Sequence, residues 1–355
     1  MVFDLVKVLI PSVFAFVIGI GITPILTHYL YKYKAWKKKA GKVDFAGNAT
    51  PLFNELHKDK EVQTPRMGGI VIWGSVLITT FVMWLLSQSS LPGVEQLSFF
   101  SREQTWLPLA LLFIGALIGL IDDLLEIRSS SDGFSKGLSL KLRLLIVAIL
   151  ATGAGWWFYN KLDVITIGLP LLEPLQLGIL IVPLFVIVCA FLYASGVIDG
   201  IDGLAGGVFA TIFASFAVIA FSQNQLDIAA LASTITGATL AFLWFNIPPA
   251  RFYMSETGSM SLTLTLATIA FMTDSLGEGH SVIALPIIAF PLVITVASNI
   301  IQVLSKKIRG KKVFLIAPLH HHFEALGWPS YKVTMRYWVL SIITALLGVS
   351  IALLH

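Results

Sequence analysis

Five short stretches of this 355-residue chain combine residue types that can act on phosphates. Gly119-Leu120-Ile121-Asp122-Asp123 ends an apolar run with two adjacent carboxylates. Such neighbours repel one another and are kept where a cation or phosphoryl chemistry needs both. Asp199-Gly200-Ile201-Asp202-Gly203 sets two acids three residues apart, so they could share a helical face, among glycines that let backbone N–H groups approach a nucleotide or an ion. Asn246-Ile247-Pro248-Pro249-Ala250 precedes Tyr253-Met254-Ser255-Glu256-Thr257-Gly258-Ser259. There Glu256, Thr257 and Ser259 offer hard oxygens of the kind Mg2+ accepts, and Tyr253 offers a flat face for a base. Pro318-Leu319-His320-His321-His322-Phe323-Glu324 carries three consecutive histidines. They cannot all face one point on a helix, so contacts to phosphate or a carboxylate suit them better than one shared metal. Thr64-Pro65-Arg66-Met67-Gly68-Gly69 follows Lys58 and Lys60, cations that could meet phosphate. Taken singly, each stretch has a bland explanation: a solvated helix end, a turn, an interface tyrosine, a basic segment touching anionic lipid.

The elements that must position these residues are membrane helices. With 56% hydrophobic and 12% charged residues and a mean hydropathy of +0.85, the chain has more apolar surface than one soluble core of this size could hide. Apolar runs long enough to cross a bilayer recur near 3–27, 67–87, 105–121, 142–159, 175–195, 204–222, 227–245, 259–274, 281–304 and 334–354. The expectation is an all-α, polytopic membrane protein of about ten transmembrane helices, one domain over 1–355. The first run is too long for a signal-peptide core and lacks a small-residue cleavage site, so it is read as a retained span. Segments after odd-numbered spans carry 21 of the 24 Lys and Arg residues, leaving Lys7, Arg102 and Lys161 for the other side. Positive charge stays with the cytoplasmic flanks, so the odd loops are expected inside and both termini outside. The net charge of +4 then reads as a topology signal, with no nucleic-acid partner. The single Cys189 excludes an intramolecular disulfide. No repeat or paired broken helices favour a transporter.

All five stretches fall on the side assigned as cytoplasmic, an assignment that used only Lys and Arg. Acids for Mg2+, cations for phosphate, an aromatic for a base and a membrane location suggest transfer from a soluble nucleotide-linked donor to a lipid acceptor.

The same stretches resemble motifs of the polyprenyl-phosphate N-acetylhexosamine-1-phosphate transferase superfamily and, within it, of the phospho-N-acetylmuramoyl-pentapeptide transferases. Thr64 to Gly69 is similar to T-P-T-M-G-G, Ile121-Asp122-Asp123 to I-D-D, and Asp199 to Ala205 to D-G-L-D-G-L-A. Ala317 to Glu324 with Gly327-Trp328 resembles the A-P-L-H-H-H-F-E and G-W that mark the muramoyl branch. The resemblance covers nearly the whole chain. It implies ten spans, a homodimer, Mg2+, a bacterial inner membrane, and transfer of phospho-N-acetylmuramoyl-pentapeptide from UDP-N-acetylmuramoyl-pentapeptide to undecaprenyl phosphate with release of UMP. Carried over by position, Asp122, Asp123 and His321 would be catalytic and Glu256 would be the Mg2+ ligand. Asp199, Gly200, Ile201, Asp202 and Tyr253 would line the uridine pocket, Lys60 and Lys141 would face phosphate, and His320 and His322 would complete the substrate site.

Departures accompany the match. Lys60 lies one residue further from Thr64 than the family spacing. Glu256 stands where the family has Asp, reaching about one methylene further, and Mg2+ geometry is strict. Glu126 replaces a Lys, and Tyr193 and Gly196 replace two Asn. The alternatives are a transferase using a UDP-N-acetylhexosamine, which would lack the match from His320 to Trp328, and a catalytically weakened scaffold of the same fold.

Overall fold

The computed structural model describes residues 2–36, 63–89, 93, 95–128, 137–276 and 279–354. Twelve α-helices are present among them: α1 (Val2–Lys32), α2 (Gly69–Ser87), α3 (Trp106–Arg128), α4 (Leu140–Lys161), α5 (Ile181–Ala194), α6 (Leu204–Ser222), α7 (Leu226–Asn246), α8 (Ser255–Ser275), α9 (Ser281–Ile288), α10 (Phe290–Arg309), α11 (Leu319–Ala325) and α12 (Ser330–Ala352). Eight of the described helical stretches are long and apolar enough to cross a membrane. The pair α9 and α10, bent by 72° at Ala289, makes up to nine.

Two of the ten expected spans differ from a plain apolar rod. The run at 281–304 breaks because Pro291 at the start of α10 cannot donate a backbone hydrogen bond into a continuous helix. Beyond the break, α10 ends in Lys306, Lys307 and Arg309. The run at 259–274 forms α8, which is not among the eight because it is rich in Ser and Thr. Those residues are buried by protein, so apolarity toward lipid is not required of them. Their hydroxyls bond back along the helix, as Thr263 does to the Ser259 carbonyl at 2.7 Å and Thr268 to that of Leu264 at 2.9 Å.

Around α8 the other helices pack in a bundle. α3 lies along it, α5 and α2 flank it, and α6 pairs with α7. α1 runs along α7, where the Ser12 hydroxyl donates to the Ser233 carbonyl at 2.7 Å and Lys7 meets Asp227 at 2.6 Å. α6 and α7 are buried over most of their length, whereas α1, α4 and α12 keep long exposed apolar faces. The core is therefore centred on α6, α7 and α8.

Between α4 and α5 the chain makes an antiparallel hairpin, β1 (Thr166–Leu169) with β2 (Leu172–Gln176), whose last two residues fall within the run at 175–195 expected to be helical. Buried Asp274, near the end of α8, accepts the Gly168 N–H and the Val282 N–H, both at 2.8 Å. The hairpin is thus tied to one end of α8 while Glu256 occupies the other.

Candidate active site

α3 continues beyond the apolar run, so Asp122 and Asp123 lie inside its last two turns rather than past its end. Its approach to α8 is close: a side chain at Gly119 would collide with the backbone of Glu256 and Thr257. That contact lets Oδ2 of Asp123 accept the Thr257 N–H at 3.0 Å. Both carboxylates are almost wholly buried, Asp122 at 1% exposure and Asp123 at 0%. Buried charges need partners, and two arginines supply them.

Arg143, one turn into α4, places Nη1 3.4 Å from Oδ2 of Asp122 and in a short contact with Oε1 of Glu256. Oδ1 of Asp122 accepts the Leu138 N–H, and Oε2 of Glu256 accepts the Tyr193 hydroxyl at 3.2 Å. Two hard-oxygen donors therefore converge on one positive charge, a donor set suited to Mg2+, which ordinarily takes one or two carboxylates and fills its remaining positions with phosphate oxygens and water. No group of three His, Cys, Asp or Glu forms a ready metal cage among the described residues. Nε of Arg143 is buried without a hydrogen-bond partner, leaving a donor available to an anionic ligand.

Arg66 closes the opposite side. Its Nη2 lies 3.2 Å from Oδ1 of Asp123 and 2.9 Å from Oε2 of Glu126, and its Nε donates to the same Asp123 oxygen at 3.3 Å. Burial opposes the guanidinium charge, but Glu126, Asp123 and Glu256 together raise its pKa well above the ordinary value. Arg66 is a permanent cation.

The remaining stretches attach to this cluster through the backbone. Residues 65–69 pair with 253–254: Tyr253 N donates to the Pro65 carbonyl at 2.9 Å, Gly68 N to the Tyr253 carbonyl at 2.8 Å, and Gly69 N to the Met254 carbonyl at 3.1 Å. Met67 and Ser255 both have left-handed backbones, at φ 67 and 59, and Met67 N donates to the Ser255 hydroxyl at 3.2 Å. Such conformations cost about 1–3 kcal/mol each and persist where surrounding bonds over-determine them. Asp199 provides one of those bonds, accepting the Ser255 N–H at 2.8 Å.

Asp199 and Asp202 do not share a helical face, because the chain turns between Ser195–Ile198 and α6. Asp202 instead accepts the Ala250 N–H at 3.2 Å. Gly200 lies directly against the rings of His320 and His321, with no space for a side chain. On α11, His321 Nδ1 is 2.7 Å from Oε2 of Glu324, which also accepts the Ser330 hydroxyl through Oε1 at 2.6 Å. His322 turns the other way, its Nδ1 accepting the Leu315 N–H at 3.2 Å. The three histidines divide between two directions, as their spacing requires.

The structure thus brings together Asp122, Asp123, Glu256, Asp199, Gly200, His320 and His321, with Tyr253 half-buried beside them. Ile201 is buried in the core, Lys141 is exposed, and Lys60 lies outside the described residues. Sequence reasoning did not single out Arg143, or Tyr193 as a partner of Glu256. A signal for Arg143 existed: an arginine one turn inside an apolar span is costly unless it faces protein or water, whereas Lys141 at the helix end can reach water on its own.

Comparison with known proteins gives the family. The sequence model of Glycosyl transferase family 4 matches residues 105–274, the segment containing both aspartates, Arg143, Asp199 and Glu256. The chain is 32% identical over 347 residues to a phospho-N-acetylmuramoyl-pentapeptide-transferase of Bacillus subtilis (strain 168), covering 97% of each. It is 32% identical to the enzyme of that name from Halalkalibacterium halodurans, over 96% of each chain. To that of Shouchella clausii it is 35% identical over 82% of this chain and 84% of the relative. With matches of this extent, the chain belongs to the phospho-N-acetylmuramoyl-pentapeptide transferase family.

Proposed function

We propose that this chain transfers phospho-N-acetylmuramoyl-pentapeptide from UDP-N-acetylmuramoyl-pentapeptide to undecaprenyl phosphate. An oxygen of the lipid phosphate attacks the phosphorus attached to the sugar. The bond from that phosphorus to the bridging oxygen breaks, and UMP leaves with the electron pair. A diphosphate linking lipid to sugar is formed, with no net redox change.

The observation that carries the proposal is the convergence of Asp122 and Glu256 on Arg143, whose Nε has a donor to spare. A donor diphosphate brings the negative charge such a guanidinium attracts. Glu256 would hold Mg2+, which when bound withdraws charge from the pyrophosphate. Both Asp123 oxygens are occupied by Arg66 and Thr257, so Asp123 is fixed in place. Asp122, held less closely by its cation, positions the acceptor phosphate or takes its proton. Asp199, Gly200 and Tyr253 form the uridine side, and His321, oriented by Glu324, meets the phosphates.

In this reading ten spans include α8 and the bent pair α9 and α10, both termini face outward, and the site opens to the cytoplasm of a bacterial inner membrane. The working form is a homodimer. Purified protein supplied with UDP-N-acetylmuramoyl-pentapeptide, undecaprenyl phosphate and Mg2+ should release UMP, and omitting the lipid phosphate should abolish release. Release from a UDP-N-acetylhexosamine instead would replace the donor, and no release from any donor would overturn the proposal.

A further inference from the structure

Arg66 has a place in the site that the proposed reaction does not yet use. Its guanidinium is shared between Asp123 and Glu126, within 3.3 Å of both, and its side chain is 19% exposed. Asp123 is wholly buried beside a second carboxylate. Without a cation it would carry an uncompensated buried charge, which a protein relieves by moving or neutralising the group. The Thr257 N–H cannot supply that compensation, because it is a single neutral donor on the other oxygen.

Glu126 lies one turn after Asp123 on α3, so the two side chains stand on one face of the helix. Arg66 reaches that face from a different part of the chain, just before α2. With Glu126 alone it would be an ordinary partly buried ion pair. With Asp123 as well, it is the hinge of a three-group arrangement in which one cation serves two anions.

We infer that Arg66 is a positioning residue for the transfer reaction, supplying the positive charge that holds Asp123 in place against the Thr257 N–H beside Glu256, and that Glu126 is the counter-ion that keeps the guanidinium there. The inference rests on the proposed transferase activity. It assigns functions to two residues that act through Asp123 and need not touch substrate. It also makes the origin of the cation irrelevant, provided the charge stands beside Asp123. A lysine at 126, carried on the same helix face, could provide it in place of Arg66.

The test measures UMP release and donor KM for wild type, Arg66→Thr, Arg66→Lys, Glu126→Lys and the Arg66→Thr/Glu126→Lys double variant, with thermal melting as a folding check. Arg66→Thr should lower kcat about 10²-fold, while donor KM stays within about threefold because contacts to the donor are untouched. Arg66→Lys should recover part of that loss. The double variant should recover at least tenfold over Arg66→Thr, since the cation returns from α3. A double variant as inactive as Arg66→Thr, despite a normal melting temperature, would overturn the inference and reduce Arg66 to a structural tie. So would Arg66→Thr with wild-type kcat. If Arg66→Thr fails to fold, Arg66→Lys and the double variant still decide. Absence of release by wild type would instead overturn the transferase reading and this inference with it.

Discussion

The Thr257 N–H donates to Oδ2 of Asp123 at 3.0 Å, and the helix contact that brings them this close leaves no space for a side chain at Gly119. Gly119→Ala forces α3 and α8 apart at Glu256. Displacements of this kind near reacting atoms cost about 10²-fold in turnover, and overpacking costs about 1–3 kcal/mol in stability. Assay of UMP release together with a melting curve should show both losses. Full turnover in Gly119→Ala would separate the helix contact from the chemistry.

Asp122→Asn and Asp123→Asn keep shape while removing charge from a buried cluster. Turnover should fall about 10²- to 10⁴-fold in each. Donor binding, followed by isothermal titration, should be less affected than turnover. A variant with near-wild-type turnover removes that aspartate from the catalytic set.

Glu256 is held by Arg143 on one oxygen and Tyr193 on the other. Glu256→Gln should raise the Mg2+ concentration needed for half-maximal rate steeply or abolish transfer, because an amide lacks the charge a hard cation prefers. Glu256→Asp draws the carboxylate back from the Tyr193 hydroxyl and should lower the rate, as should Tyr193→Phe to a smaller degree. Superimposable Mg2+ titrations for wild type and both Glu256 variants would place the metal elsewhere. Faster transfer by Glu256→Asp would mark Glu256 as a defect.

His321 and Glu324 form a pair on α11, with the rings of His320 and His321 against Gly200. His321→Ala should reduce transfer on the order of 10²-fold. Glu324→Gln should reduce it less, since a neutral partner still orients the ring. The opposite ranking would make Glu324 the reacting group and His321 its support.

Topology can be read by cysteine labelling on a Cys189→Ser background. A cysteine placed at Lys312 should be protected from an impermeant reagent in intact cells, and one at Lys161 should be labelled. The reverse pattern would invert the orientation derived from Lys and Arg.

Much of the bundle is legible because a bilayer imposes a simple code. Runs such as 204–222 and 227–245 coincide with α6 and α7 to within a residue, since about 20 apolar residues have few other fates. The gathering of Asp122, Asp123, Asp199, Glu256 and His321 at one end was also readable, because intramembrane acids are rarely placed without purpose. Other features depend on pairs of distant residues. Finding Arg143 required knowing which face of α4 meets Asp122 and Glu256. The turn at Ala289 depends on Pro291, but its 72° angle is set by packing. The pairing of Arg66 with Asp123 spans 57 positions, and neither local stretch announces it.

The hydroxyl-rich composition of α8 also bears on how the protein is made. A helix with Glu256, Asp274 and many Ser and Thr residues partitions poorly from an insertion channel into bare lipid, where each polar side chain raises the cost of entry. Its neighbours α2, α3 and α5 precede it in the chain, so they emerge first and can offer a protein-lined berth. Biogenesis is then ordered: α8 leaves the ribosome-bound machinery as a late guest of helices already delivered. A truncated chain lacking α3 should stall or mis-insert at this point even though α8 itself is intact.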